Sequence, residues 1–227
     1  MILPAWAAFV RQVPATSHFY ARAYHRRMNL LAHLLLADRH ELSLTGSLLE
    51  DFVKGTIEGR FNPALREAIR IHRRIDAFTD EHPLFRDSCR RIAPLRRRYA
   101  PVFVDVFYDH LLSRHWESFA RSERTRDREI FIAHVYRVID SERDHLPERI
   151  ARLMRYMIDH DLLGSYAQIE GVDEALHRLS LRVRRPQGFA DAASDLLAHF
   201  EHFEQDFLAF FPELERFVAR EVVRKRT

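Results

Sequence analysis

A histidine and an aspartate four residues apart, His72 and Asp76, are the side chains in this sequence with the clearest capacity for chemistry. In a helix, residues at this spacing project from adjacent turns on the same side. Burying an imidazole and a carboxylate is costly unless hydrogen bonds or a cation satisfy them. The pair therefore indicates either a local hydrogen bond in a polar corner of the core or a ligand pair for a divalent metal.

The helix that carries this pair has clear boundaries in the sequence. Asn62 is a preferred N-cap residue and Pro63 fits the first helical position. The helix should end near His82 and Pro83, because the residue before a proline resists helical geometry. The apolar positions predict an inner face, formed by Leu65, Ala68, Ile69, Ile71, Ile75 and Phe78. The arginines of the helix are expected on the solvated side: Arg66, Arg70, Arg73 and Arg74.

Three further helices each place a histidine or an aspartate among apolar residues. The segment 29–40 is apolar nearly all round, so His33 is expected to be buried. A helix from Ser43 to about Gly55 directs Asp51 to the side of Leu44 and Leu48. The helix 102–119 carries Asp105 and Asp109 on one apolar stripe, where repulsion raises a pKa unless a cation lies nearby.

Two imidazoles with several carboxylates and no thiolate suit Mn²⁺ or Mg²⁺ better than a structural zinc ion. We therefore predict one divalent metal site built by side chains from these four helices. The predicted ligands are His33, Asp51, His72, Asp76 and Asp109.

Length and composition indicate an ordinary globular chain. The 227 residues are 47% hydrophobic and 30% charged, enough for one large domain or two small ones. Six glycines and nine prolines argue against a β-rich, turn-dense fold. Cys89 is the single cysteine, which excludes an internal disulfide and fits the reducing cytoplasm. No apolar run approaches the roughly 20 residues of a membrane helix.

Basic residues are clustered although the net charge is only +3. One cluster, in a stretch that we expect Pro94 to interrupt, contains Arg90, Arg91, Arg96, Arg97 and Arg98. A second contains Arg182, Arg184 and Arg185. Each cluster fits an acidic partner or, equally well, a solvated surface.

The chain is predicted to form one all-α domain over residues 28–227, preceded by a peripheral extension of residues 1–27 without clear periodicity. Helical periodicity continues through the C-terminal half. The predicted helices there cover residues 125–146, 147–163, 172–183 and 189–211, with a last helix after Pro212.

Four motifs together resemble the bacterial acyl-carrier-protein phosphodiesterase family. They are Met-Asn-Leu-Leu-Ala-His at 28–33, Gly-Ser-Leu-Leu-Glu-Asp-Phe-Val at 46–53, His-Arg-Arg-Ile-Asp at 72–76 and Asp-Val-Phe-Tyr-Asp-His-Leu-Leu-Ser-Arg-His-Trp at 105–116. The resemblance covers most of the chain from Met28 onward. It implies a helical fold related to the HD-type metal-dependent phosphohydrolases, although those enzymes usually carry adjacent His-Asp ligands. It also implies a role in fatty acid biosynthesis and lipid metabolism.

The family's activity is removal of 4′-phosphopantetheine from holo acyl carrier protein by phosphodiester hydrolysis, with an Mn²⁺ or Mg²⁺ cofactor. The catalytic residues expected on this resemblance are Asp51, His72, Asp76, Asp109 and His110. The first arginine cluster (Arg90, Arg91, Arg96, Arg97 and Arg98) is expected to dock the acidic carrier protein. Neither nucleic acid nor a membrane is expected as a partner.

Two other functions remain open on the sequence. The chain could be an HD-type phosphohydrolase that acts on a nucleotide or an alarmone. It could also be a non-enzymatic helical module that binds an acidic protein through its arginines, which leaves the inward histidines and aspartates without a function.

Overall fold

The computed structural model describes residues 29–53, 55–181, 183, 186–189 and 191–226. In these ranges the chain forms α-helices and short 3-10 turns and no strand, which confirms the all-α prediction. The predicted extension 1–27 lies outside the described residues, as do Lys54 and the second arginine cluster. The α-helices are α1 (Leu30–Arg39), α2 (Leu44–Leu49), α3 (Pro63–Glu81), α4 (Pro83–Arg96), α5 (Ala100–Arg114), α6 (Trp116–Phe119), α7 (Arg128–Glu142), α8 (Glu148–Asp159), α9 (Leu162–Ser165), α10 (Ile169–Ser180), α11 (Ala192–Ala198) and α12 (Phe200–Arg226).

Helices α1 and α5 lie at the centre of the hydrophobic core. Helix α1 is buried from Leu30 to Ala37, and α5 from Phe103 to Ser113. Such all-round burial explains why both sequences are apolar on every side. Histidines and aspartates on these helices are therefore held inside the protein.

The long helix α12 closes one side of the core with phenylalanine rings. Phe207 contacts the ring of Tyr108 on α5, with ring centroids 5.3 Å apart. Phe217, further along α12, stacks on Phe78 of α3 at 4.4 Å. Aromatic pairs at these separations stabilise beyond their buried area. The packing fixes α3 and α5, which both carry predicted site residues, against the same helix.

Helix α2 packs unusually close to α3, and Gly46 makes this approach possible. A Cβ atom at Gly46 would lie 2.8 Å from the Cβ of Ala68 and 3.0 Å from the backbone of Leu65. The hydroxyl of Ser43 accepts a hydrogen bond from the Gly46 N–H and caps α2. This close contact brings the backbone of Ser47 next to His72.

We expect Gly46→Ala to lower the melting temperature by roughly 2–12 °C, because forcing a methyl group into a packed core costs about 1–3 kcal/mol. Thermal unfolding followed by circular dichroism measures the change. The double variant Gly46→Ala/Ala68→Gly should recover part of the loss, since it removes the closest contact but not those with Leu65. An unchanged melting temperature in Gly46→Ala would show that α2 can move away without cost.

Two prolines expected at helix boundaries lie inside helices instead. Pro94 lies within α4, which runs on to Arg96, so the prediction of a break there is wrong. Pro212 lies within α12, where a new helix had been predicted to start. A proline removes only one helical hydrogen bond. Buried side chains on both sides of Pro212, such as Phe211 and Leu214, hold the helix in one piece.

Helix α3 begins and ends where the sequence predicts. The Asn62 side chain accepts from the Leu65 N–H, Pro63 occupies the first turn, and the helix ends at Glu81 before His82 and Pro83. No helix in the described ranges is both long and apolar enough to cross a membrane.

Candidate metal centre

His33 from α1 and His72 from α3 stack face to face, with ring centroids 3.6 Å apart and planes 11° from parallel. Oδ1 of Asp76 lies 3.3 Å from Nε2 of His33 and 3.9 Å from Nε2 of His72. One carboxylate oxygen therefore faces both imidazoles. Both histidines are 2% exposed, whereas the side chain of Asp76 is 19% exposed, so the two imidazoles lie inside the core and the carboxylate is only partly buried.

The tautomer of His72 is set by the backbone of α2. Nδ1 of His72 lies 2.7 Å from the carbonyl oxygen of Ser47, and a carbonyl can only accept. Nδ1 therefore carries the proton and donates, and Nε2 keeps its lone pair on the side of Asp76. Metal-binding histidines are commonly oriented in this way.

His33 makes no hydrogen bond through either ring nitrogen to the part of the chain that the structure describes. Buried polar nitrogens are nearly always hydrogen-bonded, so such a group calls for an explanation. A cation held between His33, His72 and Asp76 supplies one. Their ligand atoms lie within 4.8 Å of one another, close enough to share one ion.

Asp51 and Glu50 form a second group of potential ligands that shares His72 with the first. Ligand atoms of Glu50, Asp51 and His72 also lie within 4.8 Å of one another. Helix α2 ends at Leu49 and the chain continues as a 3-10 helix over Glu50–Phe52, not as the predicted α-helix to Gly55. Tighter winding there changes the direction of the side chains. An α-helix continued through residue 50 would direct Glu50 to another side than Asp51, so helical spacing alone does not predict Glu50 in this group.

Arg73 fixes Glu50 in this position. Its Nε lies 2.9 Å from Oε1 of Glu50, and its Nη1 donates to the carbonyl oxygen of Gly55 at 3.2 Å. The prediction that Arg73 is simply solvated is therefore wrong, because its side chain ties α3 to the segment after α2. The guanidinium of Arg73 is therefore a fixed positive charge beside Glu50.

The pKa of Asp51 is raised well above its ordinary value by burial and then by the neighbouring carboxylates of Asp76, Glu50 and Asp105. Asp105 is itself only 1% exposed on α5. Enclosed carboxylates repel one another in a medium of low polarity, and a cation among them removes the repulsion. The electrostatics thus favour a bound divalent ion.

We expect Asp51→Asn to raise the melting temperature of the metal-free protein at pH 7 by roughly 2–4 °C, the shift that about 1 kcal/mol produces in a domain of this size. Because the folded pKa of Asp51 is raised, the folded state loses stability as the pH rises above the ordinary value of 3.8. Asparagine does not ionise and removes this penalty. The melting temperatures of the wild type and of Asp51→Asn, recorded in the presence of a chelator at pH 5 and pH 7, measure this penalty.

Asp109→Asn is the matched control for this substitution. Burial raises the pKa of Asp109 as well, but no neighbouring carboxylate adds to this, and hydrogen bonds from the N–H groups of Leu31, Ala32 and Leu30 stabilise its charged form. Its replacement should lower the melting temperature, because the amide nitrogen cannot accept from an N–H of α1. If Asp51→Asn and Asp109→Asn shift melting in the same direction, the repulsion argument fails.

The structure places Asp109 outside the metal-binding group. Its oxygens accept from the N–H groups of Leu31 at 3.0 Å and Ala32 at 3.1 Å, at the start of α1. The first N–H groups of a helix lack internal partners and favour a carboxylate. Asp109 therefore positions the helix that carries His33, and it is not a member of either group of potential ligands in the described residues. Asp105, one turn earlier on α5, is the aspartate whose charge raises the pKa of Asp51.

His110 also lies apart from both groups of potential ligands in the described residues. Its Nδ1 is 2.8 Å from the carbonyl oxygen of Tyr166. Burial lowers the pKa of His110. Its hydrogen bond places it at the contact between α5 and the segment before α10, and its catalytic role stays a prediction.

The first arginine cluster divides into internal and exposed members. Arg96 is 7% exposed and binds Asp195 through Nε at 2.6 Å. Arg91 pairs with Asp206 at 2.9 Å and is half-buried. The prediction that both dock a partner is wrong for Arg96, because its guanidinium is already engaged inside the protein. Arg90, Arg97 and Arg98 are exposed, and Arg97 has a left-handed backbone with φ of 51°.

Comparison with known proteins gives one consistent relationship. The profile of a family described as acyl carrier protein phosphodiesterase matches residues 28–214. A protein of that name from Yersinia pestis is 32% identical over 189 residues, which cover 83% of this chain and 96% of the relative. Proteins of the same name from Escherichia coli and Shigella boydii are 34% identical over 187 residues, covering 82% of this chain and 95% of each relative. No solved structure is a significant match.

Proposed function

Because the chain belongs to the acyl carrier protein phosphodiesterase family, we propose that it hydrolyses the phosphodiester between 4′-phosphopantetheine and the serine of holo acyl carrier protein. The products are apo acyl carrier protein and 4′-phosphopantetheine. The observation that supports this reaction is the pair of potential ligand groups that share His72, His33/His72/Asp76 and Glu50/Asp51/His72, which come from α1, α3 and the 3-10 segment. Such a group can hold a divalent ion, which supplies positive charge and a nucleophilic water for phosphodiester hydrolysis.

The donors fit a divalent ion of the Mn²⁺ or Mg²⁺ type, because they offer oxygen and imidazole nitrogen without thiolates. His33, His72 and Asp76 would hold it, with Asp51 and Glu50 completing the shell. When bound, the ion supplies a water of lowered pKa and positive charge beside the phosphoryl oxygens.

The protein's own groups orient these ligands. Ser47 fixes the ring of His72, Asp109 holds the start of α1 under His33, and Arg73 holds Glu50. The leaving serine oxygen needs a proton. His33 and His72 belong to the groups of potential ligands, whereas His110 does not, so we propose that one of the first two histidines or a metal-bound water supplies it.

We also propose that the scaffold is related to the HD-type phosphohydrolases, on the pattern of histidines and aspartates spread over α1, α3 and α5. The spacing His72-x-x-x-Asp76 differs from the adjacent pair usual in those enzymes. We propose a cytoplasmic location, which suits the single free thiol of Cys89, and a role in the turnover of carrier proteins for fatty acid synthesis.

The direct test incubates the protein with holo acyl carrier protein and Mn²⁺ and follows the intact mass of the carrier protein. We expect loss of the 4′-phosphopantetheine mass, dependent on the metal and blocked by a chelator. An unchanged holo carrier protein at high enzyme concentration contradicts the proposal. Turnover of free nucleotides in a parallel panel would point to a nucleotide phosphohydrolase instead.

The exposed arginines of the first cluster are proposed to dock the acidic carrier protein. They lie at and after α4, which joins the two helices that carry Asp76 and Asp105. We expect the triple variant Arg90→Glu/Arg97→Glu/Arg98→Glu to raise the apparent KM for holo carrier protein about tenfold and to flatten its salt dependence. Exposed charges mainly speed encounter and are screened within about 10 Å at moderate ionic strength.

The control for the docking variant carries the same charge change elsewhere. Arg126, Arg216 and Arg220 are exposed, and their reversal to glutamate should alter KM much less. Hydrolysis of a small nitrophenyl phosphodiester should be equal in both triple variants. An equal rise of KM in both triple variants would assign the effect to net charge and not to a docking surface.

A further inference from the structure

A small apolar cavity opens directly beside the metal-binding group. Its volume is about 40 Å³, and Asp51 forms part of its wall. The rest is mainly apolar and includes Leu48 and Phe52, which are near Asp51 in the chain, and Met154 and Met157 of α8. Asp51 therefore borders both the cavity and the ligand group. A substrate whose phosphorus lies at the ligands would place its next few atoms at the mouth of the cavity.

The chemistry of the prosthetic arm matches this arrangement. In 4′-phosphopantetheine the ester oxygen is followed by one methylene and then by a quaternary carbon with two methyl groups. The first apolar group of the arm therefore lies only two carbons from the ester oxygen. The other branch at phosphorus leads to the carrier protein, which must stay outside. We propose that this cavity binds the two methyl groups of the arm and so selects phosphopantetheine among serine phosphodiesters. This inference rests on the proposed function.

The size and polarity of the cavity limit what else it can hold. About 40 Å³ accommodates a few carbon atoms but not the whole arm with its hydroxyl, two amides and thiol. Polar groups lie at the edge of the cavity, where the hydroxyl and first amide would follow. Arg178, paired with Glu174 at 2.5 Å and 14% exposed, and the half-buried Tyr156 border it there.

The test compares two forms of holo carrier protein that differ only in these methyl groups. One carries the natural arm and the other an arm in which both methyl groups are replaced by hydrogen. We expect kcat/KM to fall about 15-fold for the second form, the loss that removal of two buried methyl groups produces. Equal kcat/KM for the two forms overturns the inference. Failure to release either arm instead contradicts the proposed function.

A variant that fills the cavity provides the reciprocal test. Leu153 lines the cavity on α8 and is half-buried, so Leu153→Trp should reduce kcat/KM for the natural arm and bring the ratio between the two forms close to one. Leu208→Trp is the control, because Leu208 is 38% exposed on α12 and does not line the cavity. That variant should keep the 15-fold ratio. A Leu153→Trp enzyme that keeps the ratio also overturns the inference.

Discussion

Asp76→Ala is expected to lower kcat for holo acyl carrier protein by at least about 100-fold. Oδ1 of Asp76 faces the Nε2 atoms of both His33 and His72, so its removal takes away the carboxylate that the two imidazoles share. Loss of a residue that merely supports a metal ligand commonly costs 10- to 100-fold in activity or affinity, and loss of a direct ligand should cost more.

A second measurement separates loss of the metal from loss of the fold. Metal that binds only the folded state raises the melting temperature by mass action. Wild type should therefore melt higher in Mn²⁺ than in chelator, and Asp76→Ala should show little difference. Asp80→Ala is the matched control, because Asp80 lies one turn further along α3 and is exposed. It should keep both turnover and the metal-dependent shift.

Full turnover by Asp76→Ala with wild-type dependence on Mn²⁺ contradicts its role as a ligand. In that case the two residues belong to a polar corner of the core, which is the other interpretation that the sequence allowed. The distance of 3.9 Å between Nε2 of His72 and Oδ1 of Asp76 is longer than a hydrogen bond. It leaves room for an ion between them and argues against the local pair.

The features of α3 could be predicted because they are local. Its N-cap, its first-turn proline and its end before Pro83 depend on neighbouring residues alone. The inward direction of His72 and Asp76 follows from helical spacing. The burial of His33 followed from the apolar surroundings of α1. These signals are sufficient to expect a polar group in the core.

The choice between Asp105 and Asp109 depends on tertiary structure and could not be made from the sequence. They lie one turn apart on the same stripe of α5, and both are buried. The start of α1 lies over Asp109, whose oxygens accept from Leu31 and Ala32. No local pattern gives the position of one helix terminus on another helix. The position of Glu50 in the ligand group was not predicted for a local reason, because the turn after α2 is a 3-10 helix.

The buried arginine of α4 gives the second large expected effect. Arg96→Met should lower the melting temperature by roughly 6–20 °C, because removing one partner of a buried ion pair costs about 3–5 kcal/mol. Nε and Nη2 of Arg96 bind the two carboxylate oxygens of Asp195 at 2.6 and 3.2 Å. The same guanidinium donates to the carbonyl oxygens of Gly188 and Asp191. One side chain thus ties the end of α4 to the segment that begins α11.

Arg98→Met is the control for this substitution. Arg98 lies two residues further on and is exposed, and its guanidinium lies over the ring of the neighbouring Tyr99. Its melting temperature should stay within about 2 °C of wild type. The double variant Arg96→Met/Asp195→Asn should be less destabilised than Arg96→Met alone, because no uncompensated buried carboxylate remains. Equal melting of the Arg96→Met and Arg98→Met variants would refute a structural role for Arg96. Arg96 would then again be a candidate for docking the carrier protein.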